Sequence, residues 1–304
     1  MSENLLNLFT TEFSTNLQLK LQAGGSKLRS KVTEGSHTGK QASPVQYEGP
    51  IAAKAPAGRF APKDRTDSVY ERRWVFPIDR EIDQLIDSFD ELKTIVDPKS
   101  PKSTNAANAI GRAWDDEIIT QATGSASIGI DASSFTTETF STANFRVADD
   151  FGASAATGLT VAKMIEAKRI LRHYENDLDA GVTMIIGSQQ ESDLLNQVEV
   201  VSTEFNDRPV LVDGNVKRFL GFDIVVMERL PTYTTTTRGV LAFVKDALYL
   251  GIWKDLVHNI STRNDLSGEP YDVYTCASFG ATRLEAGKLI QIACADSVGA
   301  SIDP

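Results

Sequence analysis

Cysteine and histidine are scarce in this 304-residue sequence, with two and three copies respectively, and their scarcity excludes much chemistry. Cys276 and Cys294 have no neighbouring His or Cys at metal-ligand spacing, so they read as two buried thiols in a reducing compartment, with a structural disulfide as the alternative. His37, His173 and His258 are scattered, and His173, next to Arg172 on a helical pattern, reads as a capping or solvated residue. The motifs Gly-x-Ser-x-Gly, HExxH, CxxC and GxGxxG are absent. No run approaches the roughly 18–20 apolar residues that span a bilayer. The start, MSENLLNLFTTEF, lacks the basic residues and small-residue cleavage site of a signal peptide. Cytoplasmic synthesis with no membrane partner is therefore expected, and no enzyme activity, cofactor or metal.

Two look-alikes do not survive inspection. Gly24-Gly25-Ser26-Lys27 lacks the spacing of a phosphate loop and has no buried strand before it. Asp115-Asp116-Glu117 places three carboxylates at consecutive helix positions, about 100° apart, so they cannot converge on one metal. A solvated acidic face is the expectation for that run.

What is present is an ordinary core-forming composition, 41% hydrophobic and 24% charged, at a length that suits one large or two moderate domains. The net charge of −10 argues against nonspecific binding of nucleic acid by the whole surface. That charge is unevenly placed. From Lys20 to Arg73 eleven Lys and Arg face five acids, giving +6 and leaving −16 for the rest. A basic segment on an acidic body suits contact between copies of one chain.

Along the chain, Leu5, Leu6, Phe9, Phe13 and Leu17 keep helical spacing, and Leu17, Leu19 and Leu21 keep strand spacing. An apolar arm in need of a partner surface is expected there. Residues 22–73 hold apolar side chains only singly and repeat neither period, so this stretch is expected to build no core of its own. If residues 40–73 form a hairpin, each arm reaches about 55 Å at ~3.3 Å per residue. Arg72-Arg73-Trp74, where this stretch meets the ordered body, is read as a pivot for inter-subunit contact. Ile82, Leu85, Ile86, Phe89, Leu92 and Val96 then fit one face of a helix ended by Asp97-Pro98. A second helix, KSTNAANAIGRAWDDEIITQATG, carries the stripe Ala106, Ile110, Ala113/Trp114, Glu117/Ile118 and Gln121/Ala122, with Ser103 or Thr104 as its cap.

Residues 124–158 read as loops and short strands. Thr160 caps a helix carrying Val161, Met164, Ile165, Lys168, Leu171 and Tyr174, followed by a buried strand Val182–Ile186. Ser188-Gln-Gln-Glu191 has the form of a capping box for a short helix. Strands are expected at Val210–Val212, Val216–Leu220, Phe222–Met227, Val240–Val244, Ala247–Trp253 and Asp255–Ile260, and in Lys288–Cys294. Thr234–Thr237 reads as an exposed loop. Helices and strands mix without strict alternation, so the fold class is α+β with antiparallel sheets.

The order of these parts resembles the major capsid proteins of tailed bacteriophages, the Hong Kong 97 type capsid fold shared with encapsulin shells and herpesvirus capsid floors. The likeness is carried by the basic stretch before Arg73, NAANAIGRAWDDEIITQATG, MIIGSQQESDLL, DGNVKRFLGFDIVVMERLP, DLVHNISTRND and YTCASFGATRLEAGKLIQIACADS. It implies an N-terminal arm at 1–39 and an extended loop at 40–76. A peripheral domain follows at 77–158 and 254–296, with a long spine helix at about 103–123. An axial domain covers 159–253 and a tail 297–304.

The function the resemblance implies is self-assembly, through pentamers and hexamers, into the icosahedral head shell of a tailed phage enclosing double-stranded DNA. The virion is the implied location. Portal, scaffolding or decoration proteins are implied partners, and packaged DNA is contacted without sequence specificity. Residues expected at inter-subunit contacts are Phe9, Phe13, Lys54, Arg59, Phe60, Lys63, Arg65, Arg72, Arg73 and Trp74. The alternatives are an encapsulin-like nanocompartment shell and a soluble α+β enzyme.

Overall fold

Alternation at two residues, rather than at three to four, governs the segment that follows Pro77. In the computed structural model Ile78–Ile86 is a strand, β4, with Ile82, Gln84 and Ile86 turned inward and Leu85 47% exposed. This corrects the expected helix. Ile82 and Ile86 lie four apart and satisfy both periods, and only exposed Leu85 separates the two readings. The structure describes residues 22, 24–55, 58, 65–87, 99–131, 134–178, 181–197, 211–212, 215–234 and 236–296. The proposed continuation of that helix through Phe89, Leu92 and Val96 lies outside them.

The chain divides into two units. One comprises the described residues of 1–26, 79–113 and 254–278, and the other those of 27–78, 114–253 and 279–304. Helix α1 (Lys99–Thr123) and strands β15 (Leu248–Thr262) and β16 (Tyr271–Arg283) each run through a boundary. In the first unit the sheet order is β15-β16-β4, with Val273, Thr275, Cys276 and Ala277 of the central strand buried. The expected break between Trp253 and Asp255 is absent, because β15 continues through Lys254 without a turn residue.

Helix α1 buries the anticipated stripe of Ala106, Ile110, Trp114, Ile118 and Ala122. It begins at Lys99, four residues ahead of the proposed Ser103 cap, with Pro101 in its first turn, where a missing N–H costs nothing. Gly111 is required in this helix. A Cβ there would stand 2.5 Å from the Gly25 carbonyl carbon, so only glycine admits the segment that crosses it.

The second unit holds a sheet of order β11-β12-β8-β14-β17-β7, with β13 (Thr232–Thr234) alongside β14 (Thr237–Val244). Its centre is β8 (Val182–Ile186), β14 and β17 (Leu289–Ala295), buried on both faces almost throughout. Thr237 begins β14 opposite Ala295 and is buried, and Thr234 ends β13 paired with Thr237, so the expected Thr234–Thr237 loop is strand at both its ends. Strands β11 (Arg218–Phe219) and β12 (Phe222–Val226) form a hairpin whose two-residue turn holds Leu220 at φ 52° and Gly221 at φ 90°. Strand β12 runs parallel to β8, β7 (Arg146–Val147) parallel to β17, and β1 (Thr33–Ser36) parallel to β15. The sheets are thus mixed rather than purely antiparallel, since the α-helical crossover after β8 returns the chain in the same direction.

Helix α3 (Val161–His173) follows the short α2 (Thr142–Phe145), and Thr160 caps it as anticipated, accepting from the Lys163 N–H at 3.3 Å. Its buried face is Lys163, Met164, Ala167 and Leu171, while Ile165 and Tyr174 are exposed. Helix α4 (Ser188–Leu195) is capped one residue earlier than the expected box, through Gln190 Oε1 accepting from the Gly187 N–H at 3.1 Å.

The stretch expected to lack its own core divides at about residue 49. Leu28 and Val32 are buried, and β1 lies in register against Tyr249–Ile252 of β15. From β2 (Ala42–Glu48) the chain pairs antiparallel with β3 (Tyr70–Val75), within a sheet of order β2-β3-β5-β6 that includes β5 (Ala126–Asp131) and β6 (Ser134–Glu138). Residues 24–48 therefore pack against their own chain, contrary to expectation. Their single apolar residues suffice because the rest of the chain supplies the other wall.

Candidate inter-subunit surface

The β2–β3 hairpin is the element the sequence singled out. Its ladder runs from Ala42 opposite Val75 to Glu48 opposite Tyr70, and the Gly49 N–H closes it on the Val69 carbonyl at 2.7 Å. Past that bond, the described residues 50–55, 58 and 65–67 are all exposed and adopt no regular structure. Lys54 and Arg65 lie here on the surface, whereas Arg59, Phe60, Lys63, Phe9 and Phe13 fall outside the described residues.

The root of the hairpin is fixed by charge. Arg73 is 7% exposed and pairs with the Glu138 carboxylate on β6. The Trp74 indole N–H donates to the Gly129 carbonyl at 3.0 Å, and Arg72 donates to the Ile130 carbonyl at 3.1 Å. Arg283, wholly buried, donates to the carbonyls of Ala122 (3.0 Å), Gly124 (2.7 Å) and Glu138 (3.2 Å). Its guanidinium thus satisfies the last turn of α1, with burial pushing its pKa down and the Glu138 charge opposing that. The Arg72-Arg73-Trp74 triplet is a clamp within its own chain, and Arg73 in particular presents little surface to a neighbour.

A second anchor lies where the acidic run of α1 was expected to be solvated. Asp115 is 2% exposed and accepts from the backbone N–H groups of Lys27 (2.9 Å) and Leu28 (3.1 Å). Asn108, two turns earlier, accepts from the Gly25 N–H at 3.0 Å. Two backbone donors of the glycine-rich segment, those of Gly25 and Lys27, are therefore committed to helix side chains. Asp116 pairs with Arg229, and Glu117 is buried against Gln121 at 3.0 Å. Asn108, Gly111 and Asp115 recur at helical spacing, and that stripe was the signal available in the sequence.

Lys163 had no such signal. Its ammonium is fully buried and donates to four carbonyls, those of Asp149 (2.8 Å), Thr157 (2.7 Å), Gly158 (2.9 Å) and Ala293 (3.1 Å). Desolvation holds its pKa below the usual lysine value. It ties the 149–158 loop to the central sheet.

Among the described residues no group of His, Cys, Asp and Glu is placed to hold a metal, and no helix is long and apolar enough to cross a membrane. Both cysteines are free and buried, and burial pushes the Cys294 thiol up to about 12. A cleft of about 670 Å³ is lined by residues that include Tyr174, Glu175, Asp246, Glu285 and Lys288. Lys288 there is bound to Asp246 (2.8 Å) and Glu285 (2.6 Å), an arrangement of paired charges without an activated nucleophile. What the molecule offers is surfaces and anchors.

The family comparison decides what the surfaces belong to: the model described as phage capsid protein matches residues 6–296. The chain belongs to the phage capsid protein family. It is accordingly a virion component, a major capsid protein that forms the head shell. No curated protein matches it by sequence. Solved capsids share its fold at low identity. The capsid of cyanophage P-SCSP1u superposes with a TM-score of 0.75 at 16% identity, covering 98% of this chain and 97% of that one. The cyanophage Pam1 capsid gives 0.71 at 13% identity, over 96% and 97%. The capsid of a native GTA particle, computed with C5 symmetry, gives 0.69 at 11% identity, over 95% and 96%. Membership of a capsid protein family gives the chain a structural role.

Proposed function

We propose that this capsid protein assembles through rings of five and six copies into an icosahedral shell around double-stranded DNA, with the β2–β3 hairpin of each copy extended over a neighbour. The observation that carries this is the hairpin itself: a root clamped through Arg73 and Trp74, and a basic continuation past Gly49 and Val69 with no ladder in the described residues. Residues 50–68 add about 30 Å of reach per arm at ~3.3 Å per residue. Their bases, Lys54, Arg59, Lys63 and Arg65, with Phe60, meet the neighbour in this reading. Heterologous contacts of this kind generate rings where the rotation between copies closes, and the similar capsid of a native GTA particle is one computed with C5 symmetry.

In the same reading the peripheral domain takes 77–158 and 254–296 with α1 as its spine, the axial domain takes 159–253, and 1–39 is the arm. Portal, scaffolding or decoration proteins are the further partners, and the role involves no catalysis. Replacing residues 50–68 by a tight turn tests the hairpin. The shortened chain should fold, with an unchanged far-ultraviolet spectrum, and fail to form shells in electron micrographs. Normal yields of closed shells would remove the hairpin's assigned role.

A further inference from the structure

Between helix α3 and the β11–β12 hairpin lies a pocket of about 160 Å³ that the assembly reading does not use. Its lining includes three cations: Lys168 and Arg172, one turn apart on α3, and Arg218 on β11. None of the described residues that line it is an acid. Its apolar lining includes Val182 and Phe222, both buried. The larger cleft differs in kind, because Lys288 there is already held by two carboxylates.

The three cations keep most of their charge. The Lys168 ammonium donates to the Leu220 carbonyl at 2.7 Å, in the turn where Leu220 and Gly221 have positive φ. A carbonyl fixes the ammonium without cancelling its charge, and it uses one of three donor protons. A Cβ at Gly221 would stand 3.5 Å from Lys168 Nζ, so glycine keeps that approach open. Arg172 is exposed and makes no ion pair among the described residues. Arg218 meets the Asp223 carboxylate only at 3.6 Å, with both side chains open to water. That is beyond the roughly 2.7–2.9 Å of a charge-assisted hydrogen bond.

We propose that this pocket binds a phosphate group. A carboxylate presents two oxygens in one plane and is satisfied by a single guanidinium fork. A phosphate carries more charge on oxygens that point several ways, and so suits two guanidiniums and an ammonium held on separate elements. Size agrees. The volume is that of about five waters at ~30 Å³ each. It admits a phosphate, which has as many non-hydrogen atoms, and is too small for a nucleoside. A free phosphate ion and the backbone of DNA offer this same chemistry. The net charge of −10 repels DNA from the chain as a whole, so a backbone contact needs a local concentration of cations such as this one. Only the DNA source rests on the reading that the shell encloses DNA.

Isothermal titration of the full-length protein with inorganic phosphate, at constant ionic strength in chloride, tests the site. One phosphate per chain should bind. Arg172→Ala should weaken binding about two- to fivefold, and the Arg172→Ala, Arg218→Ala double variant about tenfold, with thermal transitions unchanged because both side chains are exposed. Arg169→Ala, on the same helix but paired with Glu166 at 2.6 Å, should bind as wild type. No binding by the wild type, a loss below about twofold in the double variant, or an equal loss in Arg169→Ala overturns the site. Succinate binding as tightly as phosphate overturns phosphate as its ligand. Fluorescence anisotropy with a short labelled DNA duplex then separates the sources. DNA binding that phosphate displaces and the double variant loses supports the backbone as the source. DNA binding equal in the two proteins, with phosphate binding lost, supports the free ion. Neither titration needs a shell, so failure here leaves the hairpin reading standing, and a chain that forms no shell still has this pocket decided by its phosphate isotherm.

Discussion

Replacing Asp115 by alanine removes the acceptor for two backbone N–H groups, those of Lys27 at 2.9 Å and Leu28 at 3.1 Å. Leu28 is fully buried, so its amide has no water to turn to and costs about 1–3 kcal/mol when left unmade. The Lys27 amide is only partly buried and recovers some hydration, at roughly 1 kcal/mol. Losing the buried carboxylate returns part of its desolvation cost. The net is a loss of about 2–3 kcal/mol, centred on the segment that leads into β1 and the hairpin. Native-state hydrogen exchange reads this locally: the Leu28 and Val32 amides should exchange about 30–150-fold faster in Asp115→Ala, at tenfold per 1.4 kcal/mol. Asp115→Asn keeps one accepting oxygen and should fall about midway. Acceleration of less than threefold would refute the assignment of Asp115 as an anchor and return it to the solvated face expected from its sequence.

Gly111→Ala sets a Cβ 2.5 Å from the Gly25 backbone, and should cost about 1–3 kcal/mol in denaturant unfolding, with Ala109→Gly as a control for helix propensity. Lys163→Met leaves carbonyls around a buried methyl group and should destabilise by about 3 kcal/mol. Because burial holds the Lys163 pKa below its ordinary 10.5, the unfolded chain binds more protons between those two values. Wild-type stability therefore gains from Lys163 as pH rises through that window, and the deficit of Lys163→Met should widen in parallel denaturation series. Cys294 is buried with its thiol raised to about 12, so alkylation at pH 8 should require unfolding.

How much of this was legible in the sequence depended on whether one period dominated. Val182–Ile186 and the α1 stripe were legible because a continuous apolar run and a long 3.6-residue repeat each admit one reading. Ile82 and Ile86 admitted two, and the partner strand β16 chose the one that local spacing did not. Asp115 and Lys163 are buried charges satisfied by backbone groups distant in sequence or in loops; the Asn108, Gly111 and Asp115 spacing marks the first, and no composition rule anticipates the second. The split of the basic stretch at about residue 49 was likewise invisible, since Leu28 and Val32 find their core in partners far along the chain. In the sequence the hairpin stands only as a condition from which a reach follows, and as what the family resemblance implies; its register, Glu48 opposite Tyr70, comes from the fold.

The most direct measurement is electron microscopy of the purified full-length protein over a range of concentrations. The account predicts closed isometric shells carrying fivefold and sixfold rings of this one chain. A monodisperse monomer at every concentration, with no ring or shell in any field, would contradict it.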